Sequence, residues 1–115
     1  MAKPYYEQLN KLIRQLNLEK YVPNPLALKH FFSGAALYTD DVLCASLSPM
    51  GLAFKLKPSE TNELIDSGQA VPLKYFPKGH IKKGYVLFES PDLDDLRKWE
   101  TYFQKTFIEI ENSVL

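Results

Sequence analysis

Between Leu73 and Tyr85 the chain reads Lys74-Tyr75-Phe76-Pro77-Lys78-Gly79-His80-Ile81-Lys82-Lys83-Gly84, four lysines and a histidine with two aromatic rings among them. Ammonium groups beside aromatics can hold phosphates while bases stack. Lys74, Lys78, His80, Lys82 and Lys83 are therefore a candidate contact for an anion or for nucleic acid. The competing reading is a solvated loop whose lysines keep a sheet edge from pairing with another chain. The stretch lacks arginine, the side chain that dominates planar phosphate and guanine recognition, and this weighs toward the second reading.

Other residues able to do chemistry are sparse. Cys44 is the one cysteine and lies between Leu43 and Ala45. A nucleophilic thiol needs a cation or a helix N-terminus beside it, and its sequence neighbours offer neither, so Cys44 reads as a small buried hydrophobe. His80 with Cys44 is the pair that folding would have to bring together for thiol chemistry. Asp40 and Asp41 are consecutive at a strand end, point apart, and are explained by a hairpin turn. His30, Cys44 and His80 match no zinc-ligand spacing. No phosphate-binding loop, dinucleotide fingerprint or nucleophile elbow is present. The residues predict no catalytic, cofactor-binding or metal-ligating set, and a chain that is not an enzyme. Near the C-terminal end, Leu96, Trp99, Phe103, Phe107 and Ile110 recur every three or four residues with Tyr102 alongside. That arc is broader than one helix needs to bury, so Trp99 and Tyr102 are a candidate partner face, for another protein or for a homodimer.

The whole chain sets bounds on these readings. Its 115 residues suit one domain. Hydrophobic content of 45% and charged content of 24% are ordinary for a globular protein. Fourteen basic and fourteen acidic residues leave no net charge, so nucleic acid could be recruited only by a local patch. With a single cysteine there is no intrachain disulfide, which suits a reducing compartment. The polar N-terminus has no secretory apolar core, and no run approaches the ~18 apolar residues of a membrane span. These features predict a cytoplasmic protein with no membrane contact.

The elements that must position the candidates follow from periodicity and turn chemistry. Residues 4–20 predict an amphipathic helix with Leu9, Leu12, Ile13 and Leu16 on one stripe. Pro23 and Pro25 make 21–29 a stiff connection. The stretch 31–56 predicts a three-stranded meander, Phe31–Tyr38, Val42–Ser48 and Leu52–Leu56, cut by turns at Asp40-Asp41 and Pro49-Met50-Gly51. Pro58–Ser67 predicts a short helix capped by Ser59 and closed by Gly68. Val71–Phe76 and Tyr85–Glu89 predict two more strands, and Ser90-Pro91 the opening of the last helix. The order α-β-β-β-α-β-β-α defines an α+β two-layer sandwich, an antiparallel sheet with helices packed on it.

Several of these stretches resemble one family. His30-Phe31-Phe32-Ser33-Gly34-Ala35-Ala36-Leu37-Tyr38 is similar to the opening motif of the TfoX N-terminal domain. So are Leu52-Ala53-Phe54-Lys55-Leu56, the helix end Glu63-Leu64 with Gly68, and above all Leu73 through Lys83. The resemblance runs from about His30 to Ile110. It implies a two-layer fold similar to secretion chaperones and kinship with the N-terminal domain of bacterial competence regulators, a family without assigned catalytic residues. Those regulators carry a second, helical C-terminal domain; with the resemblance running to about Ile110, the expectation is a chain without one. The expectation is a regulatory or protein-interaction domain. A nucleic-acid-binding module using Lys74–Lys83 is the alternative, and a small anion-binding protein using the same loop is a third reading.

Overall fold

The alternating stretch read as a meander forms the middle of a six-stranded antiparallel sheet in the computed structural model, which describes residues 3–31, 33–74 and 78–113. The strands are β1 (Leu26–Phe31), β2 (Gly34–Thr39), β3 (Val42–Ser48), β4 (Gly51–Lys55), β5 (Val71–Leu73) and β6 (Lys82–Phe88), in spatial order β1-β2-β3-β4-β6-β5. Three α-helices complete the fold: α1 (Lys3–Leu16), α2 (Pro58–Asp66) and α3 (Leu96–Ser113). This is the predicted α+β architecture, and the predicted elements follow in the predicted order, with one further strand, β1, between α1 and the meander. None of the helices among the described residues is long and apolar enough to cross a membrane.

Side-chain alternation divides the sheet into two unlike faces. Leu37, Leu47, Leu52, Phe54, Val86 and Phe88 point to the helices, where they meet Leu9 and Leu12 of α1, Leu64 of α2, and Trp99, Phe103 and Phe107 of α3. Phe54 is the centre: its ring stacks on Trp99 at 5.9 Å and meets Phe103 edge-on at 4.9 Å. The intervening residues Ala36, Ala53 and Leu87 point the other way and join Leu43, Leu73 and Tyr85 in a separate cluster to which no helix contributes. A register shift between Leu37 and Tyr38 inserts an extra residue in β3, so Cys44 and Ala45, though consecutive, both belong to the helix-covered core.

Turns and close approaches fix the strand order. Asp40 and Asp41 both adopt left-handed backbone, with φ 51° and 62°, the mirror-image turn whose twist suits a two-residue hairpin. Asn24 donates to both carboxylate oxygens of Asp40, at 2.9 and 3.0 Å. Gly34 packs so tightly that a Cβ there would lie 2.2 Å from the Leu47 carbonyl oxygen. At Gly51, φ 136°, a Cβ would lie 2.3 Å from that of Phe88.

Four local expectations are corrected. First, the connection read at 21–29 contains the start of β1, because β2 pairs along its whole length from Leu26↔Thr39 to Phe31↔Gly34. Second, the first helix stops at Leu16; Asn17 turns left-handed and a 3₁₀ turn spans Leu18–Tyr21. Third, Ser59 does not cap α2: the helix begins at Pro58, as predicted, with Lys57 in the cap position and no side-chain cap bond. Fourth, Ser90-Pro91 does not open the last helix. Ser90 is left-handed (φ 50°), and Asp92 holds a tight turn through its side chain to the Asp94 N–H at 3.0 Å, so α3 begins at Leu96.

Candidate interaction site

The predicted basic stretch divides in the structure. Lys74 follows β5 and is half-buried, and Lys78 and His80 are exposed on the connection to β6. Tyr75, Phe76 and Pro77 lie outside the described residues. Lys82 and Lys83 open β6 as exposed strand residues, earlier than the predicted strand start. They line a groove of about 370 Å³ with Gly84, Tyr85 and Ile81 on one side, Pro58, Thr61, Asn62 and Ile65 of α2 on another, and Pro72 of β5. Lys74, Lys78 and His80 are not part of it. The groove is at the small end of the range for ligand sites, roughly 300–1,000 Å³. Its walls are mostly apolar, and Ile81 is 53% exposed, so its side chain is available to whatever fills the groove.

Tyr85 organises the charges around this groove. Its hydroxyl donates to the Leu43 carbonyl at 2.8 Å across the intervening strand β4, which pins the ring against the sheet. Lys55 Nζ lies 5.2 Å from the ring centroid and Lys82 Nζ 5.1 Å, within reach of the ring's negative quadrupole. The two ammonium groups are thus no further apart than twice that distance. Lys55 arrives there because β4 pairs with β6 at Lys55↔Tyr85. Further along the same face, Lys29 Nζ sits 5.0 Å from the centre of the Tyr38 ring.

Charge is segregated between the layers. The six strands contain Lys29, His30, Lys55, Lys82 and Lys83 and not one Asp or Glu. Among the described residues the ion pairs are Lys20 with Glu100 at 3.8 Å and Lys105 with Glu60 at 2.6 Å. Both form on helices and their connections, and neither uses a lysine of the sheet. Among the described residues no carboxylate lines the groove. A neutral chain therefore carries a local cationic surface, where opposite charge is favoured whatever the net charge.

The other candidates lie away from the groove. Trp99 is buried, 1% exposed, and its indole N–H donates to the Asp92 carbonyl at 2.6 Å. It is core, so the predicted partner face loses it: the arc that looked too broad is filled by Phe54 and Phe88 from the sheet. Tyr102 is half-buried against the same rings, and that burial raises its pKa. Cys44 is buried, its Sγ donates to the Val42 carbonyl at 3.6 Å, and burial pushes its pKa up to about 12. A thiol held protonated in this way is a poor nucleophile. His30 stacks on Tyr6 at 4.6 Å. Asp40 and Asp41 form the turn between β2 and β3. The described residues hold no cluster of His, Cys, Asp or Glu fit for a metal.

Sequence reasoning missed Lys55, Ile81 and the α2 wall of the groove. One signal was legible: from Ser67 to Phe88 there is no acidic residue, while four lysines accumulate. Compared with known proteins, the chain matches no protein-family model, no curated protein and no solved structure.

Proposed function

We propose that this chain is a non-catalytic, cytoplasmic binding domain of the TfoX N-terminal type, a regulatory or protein-interaction module. Its contact surface is the cationic end of the sheet. The observation that carries this reading is the gathering of Lys82 and Lys83 at an apolar groove whose described lining holds no carboxylate, with Lys55 beside the Tyr85 ring that forms part of it. The non-catalytic part is supported by the chemistry of the one thiol, buried and held protonated. The α+β fold, an antiparallel sheet with helices packed on it, is of the two-layer kind that the family resemblance implies, which supports the assignment of type.

A polyanion column tests the contact surface directly. The native chain is expected to be retained on immobilised heparin at ~50 mM salt, where charge contacts are barely screened, although its formal net charge is zero. Changing Lys55, Lys82 and Lys83 together to Glu should abolish retention. Flow-through of the native chain at that salt would overturn the reading.

One observation favours a second reading, nucleic-acid binding. Lys29 over Tyr38 and Lys55 with Lys82 over Tyr85 place cations beside aromatics across one sheet face, an arrangement suited to a phosphate backbone. It predicts affinity for single-stranded DNA that falls steeply with salt, with a slope reduced when these lysines are changed.

A further inference from the structure

The groove beside Tyr85 has a more specific chemistry than a charged surface alone. We propose that it receives an acidic, amphipathic segment of another protein, an assignment that rests on the binding-module reading. One or two apolar side chains would seat among Ile65, Pro72 and Ile81, and flanking Asp or Glu carboxylates would meet Lys55, Lys82 and Lys83.

Three observations lead there. First, charge complementarity: the cations at the groove have no acidic partner among the described residues, and no strand supplies one. Second, pre-organisation: Lys55 and Lys82 are held over the ring of Tyr85, which is itself fixed by its bond to the Leu43 carbonyl. Side chains ordered before binding lose less freedom when the partner arrives. Third, the apolar wall. Ile81 is one of two large hydrophobic residues left exposed among those described, the other being Ile108, and it stands directly before the two lysines. The one aromatic ring in the described lining, Tyr85, already carries Lys55 and Lys82 beside it, and an apolar anchor beside charged neighbours is the pattern by which peptides dock in grooves. The two arginines, Arg14 and Arg97, lie on α1 and α3 and not at the groove, which further weakens a nucleic-acid occupant.

A second copy of the chain is the strongest competitor. Ile108 is 58% exposed, and its neighbours Glu109 and Glu111, with Asp40 across the adjoining groove, are acidic. Such a head-to-tail contact would use two different surfaces and would not close into a symmetric dimer, so it would grow with concentration.

Fluorescence anisotropy on the full chain separates these occupants. The probes are a labelled peptide of about 12 residues mixing Glu and Asp with Leu and Phe, the same peptide with Leu and Phe replaced by Ser, and a single-stranded oligothymidylate of equal length. The amphipathic peptide is expected to bind at least about tenfold tighter than its serine version. Lys82→Glu with Lys83→Glu should weaken it by about tenfold or more. Ile81→Ser should weaken the amphipathic peptide while leaving the serine version unchanged. All of these residues are exposed, and circular dichroism checks that each variant is folded. Equal affinity for the two peptides, or none for either, overturns the proposal. Tighter binding of the oligothymidylate also overturns it, but leaves the cationic contact surface standing. Self-association in sedimentation that the lysine changes abolish assigns the groove to a second copy and overturns it too. If heparin retention also fails, the binding-module reading falls with it.

Discussion

The two faces of the sheet are made stable in different ways. On the helix side, large rings interlock: Phe54 touches Trp99, Tyr102, Phe103 and Phe88 with centroids between 4.9 and 6.1 Å. The opposite face is floored by small residues, Ala36, Ser46 and Ala53, all buried, with Leu43, Leu87 and Tyr85 around them and Phe31, Tyr38, Met50 and Val71 at the margin. Lysine stems complete that margin, each ammonium held beside a tyrosine ring. One face gains stability from volume and so has no freedom to bind. The other needs less volume, and its rim is left to carry charge.

The largest difference between the faces should appear on truncation. Phe54→Ala removes the ring that joins α3 to the sheet, and large aromatic deletions of this kind cost about 3–5 kcal/mol. Leu87→Ala is the matching deletion on the other face. It should fall at the low end for leucine, about 2 kcal/mol, because marginal side chains can relax into the space. Urea unfolding of both variants measures the gap. Equal losses would mean that the second face is packed as rigidly as the first, and the contrast would fail.

High pH probes the covered face through Cys44. Burial raises its pKa from 9.0 to about 12, so folding favours the protonated thiol. That contribution is complete below pH 9 and is lost as pH rises from about 9 toward 12. The shift corresponds to at most about 4 kcal/mol at the top of the window. Tyr102, raised by burial, and Lys105, raised by its hydrogen bond to Glu60, move in the same direction and so add to the alkaline loss. Melting temperature should fall between pH 9 and 11, and Cys44→Ala should flatten that fall. An unchanged slope in Cys44→Ala would mean that the thiol is not the buried titrating group.

How much of this could be read beforehand depended on how local the cause was. The stripes of α1 and α3 and the alternation at Leu52–Leu56 were legible because each repeats its apolar residues within one element. Strand β1 was not: Leu26-Ala27-Leu28-Lys29-His30-Phe31 follows two prolines and has no fully buried residue, and only its pairing with β2 makes it a strand. The true start of α3 was hidden by the backbone of Ser90 and the Asp92 turn, which no periodicity reports. Two of the five candidates in the basic stretch were found at the groove, since Lys82 and Lys83 are neighbours in sequence. Lys55 joins them only through the register Lys55↔Tyr85, and the α2 wall only through packing. Trp99 drops out of the partner face assigned to Trp99 and Tyr102 because an aromatic stripe does not reveal how many rings the opposing sheet supplies.

Tyr85 offers a finer comparison. Its hydroxyl bridges two strands over to the Leu43 carbonyl, so Tyr85→Phe removes a hydrogen bond while keeping the ring. The loss should be about 1 kcal/mol, rising to about 3 if no water reaches the freed carbonyl. The ring should then hold Lys55 and Lys82 less firmly, and heparin retention should weaken slightly without being lost. Retention identical to the native chain, despite the measured loss of stability, would mean that the fixed ring contributes nothing to presenting the lysines.

The smallest expected effect separates binding from folding. Lys82→Met keeps a long apolar stem over Tyr85 and removes only the charge. An exposed cation over a tyrosine ring is worth about 0.5–1 kcal/mol, and the thioether recovers part of that by its own contact with the ring. The net change in stability should stay within about 0.5 kcal/mol, the usual range for surface positions. Lys55→Met should behave alike, since the same ring supports it. Yet each change removes one of the charges gathered at and beside the groove, so the salt concentration that elutes the chain from heparin should drop with every substitution and drop further when the two are combined. If stability falls by more than about 1 kcal/mol and elution does not move, the lysines belong to the folding of this face. If elution moves and stability does not, their charge is maintained for a partner.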